Sequence, residues 1–375
     1  MAFAQKTWRK WLTLESGLLL FALVYPLVPL IDIAADAVDL PIHLDQRLVT
    51  IFIYGLLVVA LNVQVGYAGL LQLGVAAFFG IGAMTTGVVT VDKYPFHFGF
   101  WGALLAAPLV AALAGLFIGA PTLRLRGDYL AIVTLGFGEV LRTVLVNLEN
   151  ITDGPRGLNP VAEAWVPSFV RQYAGAGDDS EATLLVMYYV SLLILVSAVV
   201  VLHVLERTRI GRAFVAMRED ELAASCMGLD PGRIKLAAFA GGAALAGLAG
   251  ALYATNLTTT ADPANYDFNN AIMALCCLIL GGLGSLRGAL LGAALLIGFD
   301  NVLSPLLDKG IQALAGDAQH PLARYSAWRW FVFGAALIAM MRLRPEGLFP
   351  AKRVAAELHD PPPGTADIAD PRQST

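Results

Sequence analysis

The chain has 375 residues, 57% of them hydrophobic and only 14% charged, with a formal net charge of -4. Soluble domains carry about 25% charged residues. Here the deficit falls in apolar runs of roughly 20 residues, which excludes a conventional soluble core and indicates a polytopic membrane protein. The 3 cysteines are Cys226, Cys276 and Cys277; two are adjacent, so their spacing offers neither a disulfide framework nor a zinc site.

At the N-terminus, Lys6, Arg9 and Lys10 precede an apolar run from Gly17 to Ile31. A signal peptide has the same layout, and Ala34, Ala35 and Ala37 mimic a cleavage region. An uncleaved first span is preferred, because the later spans then fit the charge asymmetry. About ten apolar segments can be marked in all, at 17–33, 48–65, 69–90, 99–121, 128–148, 183–205, 235–255, 270–284, 288–304 and 327–343. The eighth and ninth are short and interrupted by Gly281-Gly282-Leu283-Gly284, so broken or re-entrant helices are the alternative there.

An even number of spans puts both termini on one side. Lys6, Arg9, Lys10, Arg124, Arg126, Arg207, Arg209, Arg212, Arg218, Arg233, Lys235, Arg287, Arg342 and Arg344 then gather on that side. Asp32, Asp36, Asp39, Asp45, Asp178, Asp179, Asp262 and Asp267 gather on the other. This asymmetry assigns both termini and the segment 206–234 to the cytoplasm. Residues 1–354 read as a transmembrane domain. Residues 355–375, with Pro361, Pro362 and Pro363, read as a disordered cytoplasmic tail. Long outer loops are expected at 149–182, 256–269 and 305–326.

The sequence contains no phosphate-cradling G-x-x-x-x-G-K-[ST], no H-E-x-x-H and no G-x-S-x-G, so it is not read as an enzyme, and no cofactor, metal or nucleic acid is expected. The informative residues are polar groups within apolar runs. Asn62, Gln64 and Gln72 either hold helices together or line a translocation path. Glu139 and Arg142 stand one helical turn apart inside the fifth segment; they either satisfy each other or act on a solute or gate. With Thr134, these residues form the candidate path or gate. Arg124, Arg126 and Asp128 either anchor span ends or form a second contact to a separate ATPase or a salt-bridged gate. Gly115-x-x-x-Gly119 and Gly284-x-x-x-Gly288 predict close helix packing.

The stretch from Gly211 to Gly228 is a charged, amphipathic island between two apolar segments, expected to be helical. It reads either as a solvated juxtamembrane helix or as a docking surface for a separate motor. Glu221-Leu222-Ala223-Ala224-Ser225-Cys226-Met227-Gly228 resembles the Glu-Ala-Ala-x-x-x-Gly signature of ABC importer permeases, with Leu222 inserted after the glutamate.

Other segments resemble, in order along the chain, the branched-chain amino acid permease family of LivM type. They include Gly66-Tyr67-Ala68-Gly69-Leu70-Leu71, Leu125-Arg126-Gly127-Asp128-Tyr129-Leu130, Thr152-Asp153-Gly154-Pro155, Leu280-Gly281-Gly282-Leu283-Gly284-Ser285 and Arg344-Pro345-Glu346-Gly347-Leu348. Two departures stand out. Gln72-Leu73-Gly74-Val75 replaces the family's common Ser-Leu-Gly-His, and Asp153-Gly154-Pro155-Arg156-Gly157 replaces its Gly-Gly-Pro-Asn-Gly.

The resemblance implies an all-α permease subunit in the bacterial cytoplasmic membrane that passes branched-chain or related amino acids inward. Its implied partners are a homologous LivH-like permease, two cytoplasmic ATPases of LivG and LivF type, and an external solute-binding protein. The implied coupling residues are Arg218, Glu219, Glu221, Ala223, Ala224 and Gly228. Small alanines seat the helix in a groove of the ATPase, charges fix its register, and glycine lets the chain leave in a left-handed conformation. Alternatives are the same machine carrying urea or a short amide, and an ion-coupled secondary transporter. The latter needs a titratable intramembrane site, for which Glu139 and Asp300 are the evident acids. A multispan membrane enzyme would need converging catalytic groups, and none is found.

Overall fold

The computed structural model describes residues 44–95, 98–122, 125, 127–158, 179–257, 262–305, 307–308, 325–344 and 347–349. The principal elements among them are helices. Leu44–Leu61 (α1) continues into a π-helical turn over Asn62–Tyr67. Then follow Val75–Thr90 (α2), Gly99–Thr122 (α3), Asp128–Asn147 (α4), Asp179–Arg207 (α5), Arg209–Glu219 (α6) and Glu221–Cys226 (α7). Pro231–Leu257 (α8), Phe268–Gly281 (α9), Leu286–Gly298 (α10) and Tyr325–Leu343 (α11) complete the series. The segment expected at 17–33, the tail at 355–375, and Arg124 and Arg126 lie outside the described residues.

Among the described residues six helices are long and apolar enough to cross a membrane: Gln46–Tyr67, Gly99–Thr122, Asp128–Asn147, Ala182–Arg207, Pro231–Leu257 and Leu286–Leu303. Three more, at Val75–Thr90, Phe268–Gly281 and Trp330–Leu343, are shorter apolar helices. The clearest departure from the sequence reading is at 69–90. That run was expected to be one span, but the helix begins only at Val75. Gly69 takes φ +69° and breaks the helical path, and residues 68–74 form a largely buried connection. Hydropathy cannot register this break, because a buried apolar loop and a buried apolar helix have the same composition.

Helix α8 lies at the centre, packed on α2 and α3. Its Gly- and Ala-rich face permits this. A Cβ at Gly82 would overlap the Gly247 carbonyl, and one at Gly250 would overlap the Phe79 carbonyl. A Cβ at Gly115 would come 2.6 Å from Ala243 Cβ, and one at Gly119 3.2 Å from Phe239 Cβ. Backbones approach this closely only where side chains are absent, and dispersion over such contacts holds helices together when lipid is as apolar as the core. The hairpin of α9 and α10 uses the same device at Gly281, Gly288 and Gly292.

Burial differs sharply between spans. In α1 78% of the apolar window is buried, whereas in α4 only 17% is. Helix α4 therefore borders the bundle and presents most of its surface outward.

Candidate functional site

The island is two helices, not one. Thr208 starts α6 by accepting from Gly211 N at 3.3 Å, an ordinary N-cap. Asp220 breaks the run with an extended backbone and caps α7, accepting from Leu222 N at 2.8 Å and Ala223 N at 3.0 Å. Gly228 ends it at φ +85°, a left-handed exit that costs other L-residues roughly 1–2 kcal/mol.

The apolar face of α6 turns into the bundle. Phe214 and Met217 are buried in a cluster with Val63, Tyr67, Leu202, Phe239 and Leu286. Arg218 then reaches inward: its Nη1 donates to the Gly66 carbonyl at 2.5 Å. Its stem lies against Gly69, where a Cβ would come 2.8 Å from Arg218 Cγ, and its head lies against Gly284. One side chain thus joins the island to the π-turn after α1, to the connection before α2 and to the α9–α10 turn.

The candidate coupling residues divide accordingly. Glu221 pairs internally with Lys235 Nζ at 2.8 Å, with side chains 25% and 6% exposed. Ala224 is buried, whereas Glu219, Ala223 and Gly228 are exposed. Leu222 and Met227 stand out at 71% and 84% exposure. Lys235 entered the sequence reading only as one of the basic residues that gather on one side, with Arg233 two positions before it.

Of the path candidates, Asn62 and Gln64 are fully buried. Asn62 Oδ1 accepts from Gly284 N at 3.0 Å, and Gln64 Nε2 donates to the Phe239 carbonyl at 3.3 Å. Each thus bonds the backbone of a neighbouring element, while Asn62 Nδ2 and Gln64 Oε1 have no partner among the described residues. Gln72 is also buried, with Oε1 lacking a partner among the described residues. Thr134 Oγ1 accepts from Leu73 N at 3.2 Å and donates to the Ala131 carbonyl at 3.0 Å, tying the 68–74 connection to α4. Glu139 and Arg142 form an ion pair at 3.0 Å, with side chains 53% and 32% exposed.

Between these elements lies a cavity of about 240 Å³, bounded by residues 73–74 and 76–77, by Leu135, Gly138 and Glu139, and by residues 266–268. A second, more polar cavity of about 400 Å³ shares Asp267 with it and is lined by Tyr54, Tyr253, Asn270 and Asp300 among others. Tyr54, Phe79, Tyr253 and Tyr266 form an aromatic cluster with ring centroids 5.3 to 6.3 Å apart.

The helical architecture, the inward-anchored island and the mid-bundle cavity suit a transport component. A family described as "Branched-chain amino acid transport system / permease component" matches residues 44–341. The chain belongs to this permease family. It is 36% identical over 319 residues to the high-affinity branched-chain amino acid transport system permease protein LivM of Salmonella typhimurium, covering 82% of this chain and 70% of that protein. The Escherichia coli LivM matches with the same identity and coverage. The probable LivM of Methanocaldococcus jannaschii is 24% identical over 334 residues, with 80% of this chain and 92% of that protein covered. No solved structure matches.

In this permease, Gly347 packs on Gly282, and Leu348 N and Phe349 N donate to the carbonyls of Leu280 and Gly281, each at 2.9 Å. Residues 347–349 and the island therefore meet the same α9–α10 turn. At the opposite end of α2 and α4, Lys93 pairs with Asp153 at 2.5 Å. The hydrogen bond to Asp153 raises the Lys93 pKa above its ordinary value, and the slight desolvation works against it.

Proposed function

We propose that this permease is the membrane subunit of an ABC importer in the bacterial inner membrane, passing branched-chain amino acids into the cytoplasm. A homologous second permease completes the path, two cytoplasmic ATPases drive it and an external binding protein delivers solute. The observation that carries this reading is the island: an exposed apolar tip at Leu222, Ala223 and Met227 on short helices anchored through Arg218 to Gly66.

The tip offers the ATPase an apolar surface. Glu221, held by Lys235, positions α7 rather than meeting the partner directly. When the ATPases close on ATP, α6 and α7 move with them. Arg218 passes that movement to the α1 turn, to the α2 connection and to the α9–α10 turn, so the bundle switches between two packings. The permease itself performs no covalent chemistry.

Reconstitution tests this. Leucine uptake into proteoliposomes should require ATP and both ATPases, and the purified subunit alone should neither hydrolyse ATP nor transport. Uptake by the single chain driven by a proton or sodium gradient would instead establish the secondary-transporter alternative. Replacing Met227 and Leu222 with Asp should release the ATPases in a pull-down; retention of full binding would place the docking surface elsewhere.

A further inference from the structure

The start of α2 lies halfway through the bundle. The Gly74 position presses on the Thr134 carbonyl, and a Cβ at Gly138 would come 3.4 Å from Gly74 Cα. Thr134 and Gly138 bracket the middle of the 20-residue helix α4. Val75, Ala76 and Ala77 are buried, and the N-cap Gly74 supplies no side-chain bond. Helix α2 thus opens with its positive dipole end inside the bundle and its first amides uncapped by a side chain.

The 240 Å³ cavity adjoins that end. Its walls bring together three kinds of group. Glu139 contributes an intramembrane carboxylate, a feature that marks function by default. The Arg142 bond is made to Glu139 Oε1, and a carboxylate accepts at several lone-pair positions, so capacity for another donor remains. Tyr266, only 3% exposed, lines the same cavity and has a hydroxyl with no hydrogen-bond partner among the described residues. Such a buried group calls for a ligand or water. Burial raises its pKa well above the ordinary phenol value, so the hydroxyl keeps its proton and can donate. Leu135, Ala77 and Phe268 supply apolar wall. Asp267 also borders the cavity, but its carboxylate caps α9 by accepting from Asn270 N at 3.4 Å.

We propose that this cavity is a binding site for an aliphatic α-amino acid in transit, with Glu139 taking its ammonium group and the start of α2 facing its carboxylate. The aliphatic side chain lies along Leu135, Ala77 and Phe268. A fixed anion and a helix N-terminus across a small apolar cavity match the two charges and the apolar body of such a zwitterion. A simple cation would meet Glu139 but be repelled by the helix end. The assignment rests on the importer reading.

The test uses the complete complex with its partner subunits in proteoliposomes, supplied with ATP and radiolabelled L-leucine. Glu139→Gln leaves Arg142 without its anion, so assembly should drop as it does for Arg142→Ala; uptake per assembled complex should fall about ten-fold or more, the scale of one charge-assisted hydrogen bond. Glu139→Asp should restore part of it. A second readout separates binding from structure. In a Cys226→Ser background, Ala77→Cys should react with a small thiol reagent, and leucine should slow that reaction only when Glu139 is present. Wild-type uptake by Glu139→Gln, or labelling at Ala77→Cys indifferent to leucine in a complex that transports it, overturns the site while leaving the importer reading intact. A wild-type complex that assembles and consumes ATP but takes up no leucine overturns the importer reading, and the site with it.

Discussion

Asn62 and Gln64 on one side, and Glu139 and Arg142 on the other, are polar residues in segments apolar enough to cross a membrane. The bundle treats them differently. Asn62 and Gln64 sit on the span with the greater buried share and bond to the backbone of other elements. Glu139 and Arg142 sit on the span that is mostly outward-facing and bond to each other, and Glu139 borders a cavity. The first pair is interior joinery. The second has charge to offer a solute or a partner. Polarity in a membrane segment therefore acquires meaning only with the direction in which it points.

The largest effect should come from breaking the joinery. Gly66→Val would drive a side chain into Asn62 and toward Gly284 N, displacing the acceptor of Arg218 as well. Overpacking plus an unmade buried hydrogen bond costs about 2–6 kcal/mol. The yield of monodisperse protein should collapse, and normal yield with normal uptake would show that the π-turn tolerates rearrangement.

A smaller and more selective effect is expected on α4. Arg142→Ala leaves Glu139 unpaired, at a cost of about 2.5–3.5 kcal/mol on insertion scales. Assembly should drop, and the double change with Glu139→Gln should restore assembly but not leucine uptake. Recovery of both would make the pair purely structural and bring it back level with Asn62 and Gln64.

The smallest effect belongs to the Lys93–Asp153 pair, about 40% exposed at each side chain and open to solvent screening. It serves as the control for an ion pair outside the bundle. Because the folded-state Lys93 pKa is raised, its contribution is fully present below the ordinary lysine value of about 10.4. It is lost as pH rises through the folded value. Lys93→Met should therefore change thermal stability slightly near neutrality, with the difference from wild type fading only at strongly alkaline pH or in high salt. A midpoint difference that varied between pH 5 and 8 would mean another group titrates with the pair.

The sequence by itself determined the helical class, the order of the apolar segments and the motif series that carries the family. These features are local: hydropathy over a window and residue order do not depend on what packs against what. It also located Gly228 as a left-handed helix exit, because the residue type alone admits that conformation cheaply. Tertiary structure alone decided where the helices break and what each polar group does. The late start of α2 depends on Thr134 and Gly138 lying beside Gly74. The inward turn of Glu221 depends on Lys235, 14 residues away in sequence, and the grip of Arg218 on Gly66 depends on a partner 152 residues away. Burial and partnership are properties of the assembled bundle, and hydropathy along the chain carries no record of which side chain meets which backbone.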